Sequence, residues 1–178
     1  MQNKYGLTIV KDYPIKGVNF IDINGLLANP AGFTLAIDQF CQQIKSFLPA
    51  GKLATTAIIA PEARGFIFAA PVAYKMGIPL VLIRKKGKIP NKPFVFHITN
   101  EYTNYDMEVD EDLLNKYQHF IYIDDILATG QTLATVRNVL AAKGKEMVLS
   151  LHLTAVEALA DKRAENKDLQ NLPIKILI

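Results

Sequence analysis

Short apolar runs alternate along the chain with segments whose apolar residues recur at helical spacing. The runs are rich in β-branched and aromatic residues and lie next to turn-forming residues, a pattern typical of buried strands. They cover residues 55–60, 79–83, 120–123, 147–153 and 174–178. Strands that alternate with helices predict an α/β fold with a mostly parallel central sheet flanked by helices.

Helix boundaries can also be read from the sequence. Asn29 followed by Pro30 is a typical helix start, because asparagine caps the first turn and proline fits the first helical position. The apolar residues of this helix share one face: Phe33, Ile37, Phe40, Ile44 and Phe47. A second helix is predicted over 66–76, and Gly77 ends it. Together with the strands on either side, the second helix forms a βαβ unit, which predicts a parallel pair with a right-handed crossover.

The remaining segments complete a single domain over residues 1–178. A stretch punctuated by Gly and Pro at 84–93 predicts a loop. Two extended arms around a turn are predicted at 94–98 and 102–109. Helical patterns follow at 132–143 and 156–163.

Composition narrows the class of protein. Half of the residues are apolar, but no run approaches a membrane span, and no basic-then-apolar leader opens the chain. The net charge of +3 permits anionic substrates but is weak support for nucleic-acid binding. Cys41 is the only cysteine, which excludes an intrachain disulfide and fits a reducing cytoplasm. His97, His119 and His152 share no metal-ligand spacing and are interpreted as structural or exposed. We therefore expect a cytoplasmic protein that binds neither a membrane nor nucleic acid.

Candidate chemistry concentrates just after the apolar run at 120–123. Asp124 and Asp125 follow the run directly, and then come the small and hydroxylated residues 128–132 and the start of a helix. This order is the layout of a ligand site at the carboxyl end of a parallel sheet. Loop amides, hydroxyls and a helix N-terminus can surround a phosphate, and ionised carboxylates suit sugar hydroxyls or a hydrated Mg²⁺. The alternative for the acidic pair alone is a helix cap or a solvated turn. The loop is not a Walker motif, because no Gly-Lys-Ser/Thr follows.

The whole stretch 120–133 resembles the signature with which type I phosphoribosyltransferases bind phosphoribosyl diphosphate (PRPP). The resemblance implies the type I phosphoribosyltransferase fold, with a small hood and a mobile catalytic loop. It implies that Asp124 and Asp125 hold the ribose hydroxyls and Mg²⁺ and act in catalysis. It also implies that the 5′-phosphate is bound by Ala128, Thr129, Gly130, Gln131 and Thr132. Gln131 stands where a glycine is common in the family.

A second anion-binding turn is predicted between the strand at 55–60 and the helix at 66–76. Arg64 lies at this strand-to-helix turn, and its planar fork of donors suits diphosphate oxygens. Alone, such an arginine is usually a solvated charge. The family places its diphosphate-binding turn here, and Glu-Ala-Arg-Gly-Phe is similar to the adenine branch. The resemblance implies that Ala63 and Arg64 bind PRPP and that Arg64 is catalytic.

A basic loop at 84–90 carries further cations. Without the resemblance it is a solvated charge run or a nucleic-acid patch, although cations also neutralise charge that builds on a departing diphosphate. Its sequence, Arg-Lys-Lys-Gly-Lys-Ile-Pro, is close to the adenine branch of the family. The resemblance implies that Arg84, Lys85 and Lys88 bind PRPP. It also implies that Arg84 reaches across a dimer interface, so we expect a homodimer.

Two more segments match the same branch. Residues 101–108 look like its mobile catalytic loop, which makes Glu101 the acid/base group beside the purine and Tyr102 a cover over the transition state. Phe20 matches the aromatic residue that stacks on the base, and the main chain of Asn19 and Ile21 would read the base edge. Without the resemblance, Glu101 is an ordinary surface carboxylate and Phe20 a core aromatic residue.

These five motifs occur in the family's order between residues 10 and 155. The resemblance therefore implies a purine salvage enzyme that converts adenine and PRPP into AMP and diphosphate, with Mg²⁺ as cofactor. Two alternatives stay open: an enzyme for xanthine or another 6-oxopurine, and a PRPP-sensing regulator without turnover. The complete set of loop motifs favours an enzyme.

Overall fold

The computed structural model describes residues 5–13, 16, 19–99 and 104–178. Its strands are β1 (Thr8–Val10), β2 (Phe20–Asp22), β3 (Thr56–Pro61), β4 (Leu80–Lys85), β5 (Pro93–Thr99), β6 (Asn104–Asp110), β7 (His119–Leu127), β8 (Glu146–Ala155) and β9 (Ile174–Ile176). Its α-helices are α1 (Asn24–Leu27), α2 (Pro30–Phe47), α3 (Arg64–Met76), α4 (Glu111–Lys116), α5 (Gln131–Ala142) and α6 (Ala160–Glu165). Short 3₁₀ helices lie at Ala50–Thr55, Glu157–Leu159 and Lys167–Leu169.

Seven of these strands form one mixed sheet in the order β5-β6-β4-β3-β7-β8-β9. Five adjacent strands run parallel to one another: β4, β3, β7, β8 and β9. Strand β6 is antiparallel to β4, and β5 is antiparallel to β6. The predicted α/β fold and the parallel β3–α3–β4 unit are therefore confirmed. A separate antiparallel pair, β1 and β2, corresponds to the expected hood. Because parallel strands end at the same edge, the carboxyl ends of β3, β4 and β7 lie together.

The sheet separates two apolar layers. Alternate residues of β3 show this division, since Ile58 and Ala60 pack with α2 and α3, whereas Ala57 and Ile59 pack with α5 and the β5–β6 hairpin. Cys41 is buried in the first layer. Among the described residues, no helix combines the length and apolarity needed to cross a bilayer.

The helix signals in the sequence are largely confirmed. The Asn29 side chain accepts a hydrogen bond of 3.1 Å from the Gly32 amide, and α2 begins at Pro30. Most of the predicted apolar face packs inward, and Phe47, which is on the same face at the last turn of the helix, is 38% exposed because the helix end lies at the surface. Helix α3 ends at Gly77, whose φ of 64° is the left-handed conformation that glycine tolerates.

Two strands are longer than their apolar runs, and this changes the place of three functional candidates. Strand β7 continues through the acidic pair, because its pairing with β8 includes Asp124 with His152 and extends to Leu127. Strand β4 continues to Lys85, and Arg84 pairs with Glu108 of β6. The predictions that the acids follow a strand and that Arg84 lies in a loop were therefore wrong. Pairing with a neighbour, rather than apolarity, sets where these strands end.

The hairpin before β7 confirms, over the described residues, the two extended arms that the sequence predicts. Strands β5 and β6 pair from Pro93–Asp110 to Thr99–Asn104, and Met107 and Ile98 are buried. The arms of the hairpin bury apolar side chains and share a ladder of hydrogen bonds, and the mobility expected for this segment stays a prediction. Glu101 and Tyr102, the predicted acid/base and lid residues, lie outside the described residues.

Candidate active site

The acidic pair near the carboxyl end of β7 is held by specific hydrogen bonds. Asp124 accepts one from the Asp125 amide at 2.9 Å and one from the Tyr122 hydroxyl at 3.1 Å. Asp125 is only 3% exposed, and its Oδ2 lies 2.6 Å from Nε of Arg64 at the start of α3. The pair is therefore not a solvated turn, and one of its carboxylates is already matched to a cation.

The electrostatics of the pair follow from its burial. Burial raises the pKa of Asp124 well above its ordinary value, and the neighbouring Asp125 raises it further. Burial also raises the pKa of Asp125, and the Arg64 guanidinium opposes that rise. Burial reduces the hydration of the ionised carboxylates. Hydroxyl donors or a cation that enter the site would therefore stabilise the ionised forms.

The loop 128–132 joins β7 to the N-terminus of α5. Gly130 has a φ of 80°, and a Cβ at that position would lie 2.5 Å from Cδ1 of Leu169, so glycine is required there. Gln131 is the first residue of α5 and has no such requirement, which explains how it can replace a glycine. The loop, Asp124 and His152 line a cavity of about 130 Å³. A water occupies about 30 Å³ in the liquid, so the cavity has room for a group the size of a phosphate.

Two residues that the sequence reasoning did not select lie beside this loop: Arg163 bonds to it, and His152 lines the same cavity. Arg163 of α6 donates hydrogen bonds to the carbonyl oxygens of Val156 at 2.7 Å and Ala128 at 2.9 Å. His152 is buried in β8, with Nε2 2.7 Å from Ser150 Oγ, and burial lowers its pKa to about 3. His152 is therefore neutral at pH 7. Neither position carries a sequence signal, because both reach the loop only through the fold.

The turn between β3 and α3 connects the acids to the hood. The Glu62–Ala63 peptide bond is cis, and α3 begins at Arg64. The Arg64 guanidinium lies over the Phe20 ring at 5.3 Å from its centroid, and Nη1 is 3.5 Å from the carbonyl oxygen of Ile21. Arg64 thus contacts Asp125 on one side and the predicted base-binding residues on the other.

The base-binding candidates lie at the start of β2. The Phe20 and Ile21 residues are partly buried, whereas Asn19 is exposed. Tyr13 packs edge-on against Phe20, with ring centroids 5.4 Å apart. The Phe20 ring therefore lies between Tyr13 and the Arg64 guanidinium.

The cations of the basic loop converge on a residue that was not selected as a site residue. Glu62 accepts hydrogen bonds from Lys88 Nζ at 2.7 Å and from the Lys85 amide at 3.0 Å, and Arg84 Nε lies 3.5 Å from its Oε2. The hydrogen bond from Lys88 is the main reason why the pKa of Glu62 is lowered. The structure thus places the charged groups of Arg84 and Lys88 and the main-chain amide of Lys85 beside the turn that contains Ala63.

Comparisons with known proteins show the family to which the chain is similar. The phosphoribosyl transferase domain family matches residues 25–177. An adenine phosphoribosyltransferase of Treponema denticola is 40% identical over 169 residues, which cover 95% of this chain and 84% of that protein. A second, from Thermosipho melanesiensis, is 35% identical over 159 residues, 89% of this chain and 87% of that protein.

Solved structures extend the similarity to the fold. The adenine phosphoribosyltransferase of Thermoanaerobacter pseudethanolicus has a TM-score of 0.82 at 30% identity and covers 97% of this chain and 94% of its own. The enzyme of Saccharomyces cerevisiae, complexed with an imino-altritol bisphosphate and adenine, has a TM-score of 0.82 at 26% identity over 97% of this chain and 94% of its own.

Proposed function

The chain belongs to the phosphoribosyl transferase domain family, and we propose that it transfers the 5-phosphoribosyl group of PRPP to adenine, giving AMP and diphosphate in purine salvage. The observation that carries the proposal is the continuous set of contacts from Phe20 through Arg64 to Asp125, with the loop 128–132 at the end of the same strand. The adenine phosphoribosyltransferases among its relatives support adenine as the base.

The substrate would occupy the site in three parts. The 5′-phosphate would bind the amides and hydroxyls of Ala128, Thr129, Gly130, Gln131 and Thr132, at the N-terminus of α5. The ribose hydroxyls would donate to Asp124 and Asp125. Adenine would stack on Phe20, with its edge read by the main chain of Asn19 and Ile21.

The diphosphate would lie between the β3–α3 turn and the basic loop. Ala63 and Arg64 belong to the turn, and Arg84, Lys85 and Lys88 to the loop and the strand before it. These groups would stabilise negative charge as the bond from the ribose to diphosphate breaks. The carboxylates of Asp124 and Asp125 would temper the positive charge on the ring in an oxocarbenium-like state. Glu101 would act as acid or base beside the purine, with Tyr102 as a cover that excludes water.

We propose Mg²⁺ as the cofactor, bound together with PRPP. Asp124 and Asp125 supply carboxylate oxygens, but these already accept the Tyr122 hydroxyl and contact Arg64. Such a pair fits a Mg²⁺ ion that keeps several waters and is held mainly by substrate oxygens. When bound, the ion would neutralise charge on the diphosphate.

The proposal predicts diphosphate release from PRPP that requires both adenine and Mg²⁺. We expect turnover with adenine and none after Mg²⁺ is removed with EDTA, measured as diphosphate formed. Binding of PRPP without any release, with every purine offered, would instead identify a PRPP-sensing regulator. Release of diphosphate with xanthine or hypoxanthine but not with adenine would identify the 6-oxopurine alternative.

We also propose a cytoplasmic homodimer in which Arg84 completes the partner's site. Mixing Arg84→Ala protein with Asp125→Asn protein should then restore part of the activity, because each mixed dimer regains one site with both residues intact. The measurement is turnover of the mixture compared with each variant alone, under conditions in which subunit exchange has been demonstrated. Turnover no higher than that of the separate variants would contradict a shared site.

A further inference from the structure

Glu62 lies between Lys88 and Arg84, two of the cations proposed to bind diphosphate. As a carboxylate, Glu62 itself cannot bind an anion. Its side chain is only 12% exposed and lies against Lys88 at 2.7 Å and Arg84 at 3.5 Å. A carboxylate in this place neutralises two of the cations proposed for diphosphate. It also stands one residue before Ala63, where a diphosphate would bind, and like charges repel there.

A different carboxylate holds the backbone of the same loop. Glu108 of β6 is 2% exposed, and its Oε1 accepts hydrogen bonds from the amides of Lys88 and Ile89. The amide of Gly87 adds a third, and these amides lower the pKa of Glu108. Glu62 accepts from the Lys85 amide, whereas the amides of Lys88 and Ile89 farther along the loop are held by Glu108.

Arg84 retains an unused donor next to Glu62. Its Nε is buried and, among the described residues, has no hydrogen-bond partner of good geometry, although Glu62 lies 3.5 Å away. A buried donor of this kind is stabilised by a better-placed acceptor. Diphosphate oxygens at the neighbouring turn are acceptors with more charge than one carboxylate.

We propose that Glu62 is a built-in counter-ion that holds Lys88 and Arg84 in the free protein and releases them to diphosphate, and so limits the affinity for diphosphate. The inference rests on the proposed function, because it assigns diphosphate to the β3–α3 turn. It holds whether the released cations serve their own site or the partner's site. Glu108 acts in the opposite way, because it positions the loop for binding.

The two carboxylates give opposite expectations for variants with the same change in charge. Glu62→Gln should bind inorganic diphosphate at least about threefold more tightly than the wild type, because the competing charge is gone. Glu108→Gln should bind it at least about threefold more weakly, because a neutral amide oxygen holds the loop amides less strongly than a charged carboxylate does. Isothermal titration calorimetry of the full chain measures both, and ribose 5-phosphate, which lacks diphosphate, should bind all three proteins equally.

A double-mutant cycle separates a counter-ion from a structural residue. The gain from Glu62→Gln should be smaller in a Lys88→Met background, because Lys88 makes the shorter of the two contacts through which Glu62 competes. Asp112→Asn is the matched control, since Asp112 is an exposed partner of Lys92 at the end of the same loop. This control should leave diphosphate affinity unchanged. Glu62→Asp, whose shorter side chain keeps its charge but loses reach, should fall between the wild type and Glu62→Gln.

The outcomes distinguish this inference from the proposed function. Weaker or unchanged diphosphate binding by both Glu62 variants, with normal ribose 5-phosphate binding, would overturn the counter-ion role alone. A gain of full size in the Lys88→Met background would also overturn it. A wild-type protein that binds neither ribose 5-phosphate nor diphosphate would overturn the proposed function and the inference together.

Discussion

Adenine should be preferred over hypoxanthine, guanine and xanthine by at least about 10³ in kcat/KM, equivalent to roughly 4 kcal/mol. Adenine donates from its 6-amino group and accepts at N1, whereas the 6-oxopurines accept at O6 and donate at N1. A wrong base therefore leaves two groups facing like partners, each at a cost of roughly 1–3 kcal/mol. Main-chain groups beside Phe20 have a polarity that the fold fixes, so they cannot adapt. Initial rates with a panel of purines at saturating PRPP measure this preference.

Asn19 provides the control for that prediction. Its side chain is exposed, and an amide can present either a donor or an acceptor. If the main chain reads the base, Asn19→Ala keeps the preference for adenine. Equal kcat/KM for adenine and hypoxanthine in the wild type would contradict the backbone-read pocket and move the protein to the 6-oxopurine alternative. The assignment of the PRPP site would remain, because it depends on other residues.

Replacing Asp125 with asparagine should lower kcat/KM by at least about 10²-fold, or roughly 2.7 kcal/mol of transition-state stabilisation. Asparagine keeps the shape but removes the charge that would face the ribose ring and that now pairs with Arg64 at 2.6 Å. Asp124→Asn should have an effect of similar size, because Asp124 lines the cavity beside the loop 128–132. Steady-state rates with adenine, PRPP and Mg²⁺ measure both variants.

Measurements of unfolding free energy show whether the lower kcat/KM of Asp125→Asn comes from the missing charge or from a less stable fold. Removing one partner from a buried ion pair usually destabilises a protein, but Arg64 is about one-third exposed and can be hydrated. We therefore expect Asp125→Asn to lower the free energy of unfolding by only about 1 kcal/mol. Asp38→Asn removes the same charge from an exposed pair with Lys75 and should keep full turnover. Near-normal turnover of Asp125→Asn would show that the acidic pair has another role.

The sequence predicted features that depend on local order. The α/β alternation, the cap of Asn29, the glycine end of α3 and the loop 128–132 all follow from residues that are close along the chain. Local signals, together with the family resemblance, also selected the residues that are proposed to bind phosphate. Strand ends were less accurate, because a strand extends as far as its neighbours pair with it.

Only the tertiary structure decided which of these residues contact one another and which charged groups already form ion pairs. It brought Arg64 from α3 against Asp125 of β7 and Phe20 of the hood, and it placed Glu62 on the cations of the basic loop. Arg163 and Glu108 became supports of the loops through contacts between distant segments. The sequence by itself determined the chemical groups of the site and their order along the chain. Their pairing, burial and pKa shifts depend on distances across the sheet. The order of residues in one sequence does not contain these distances.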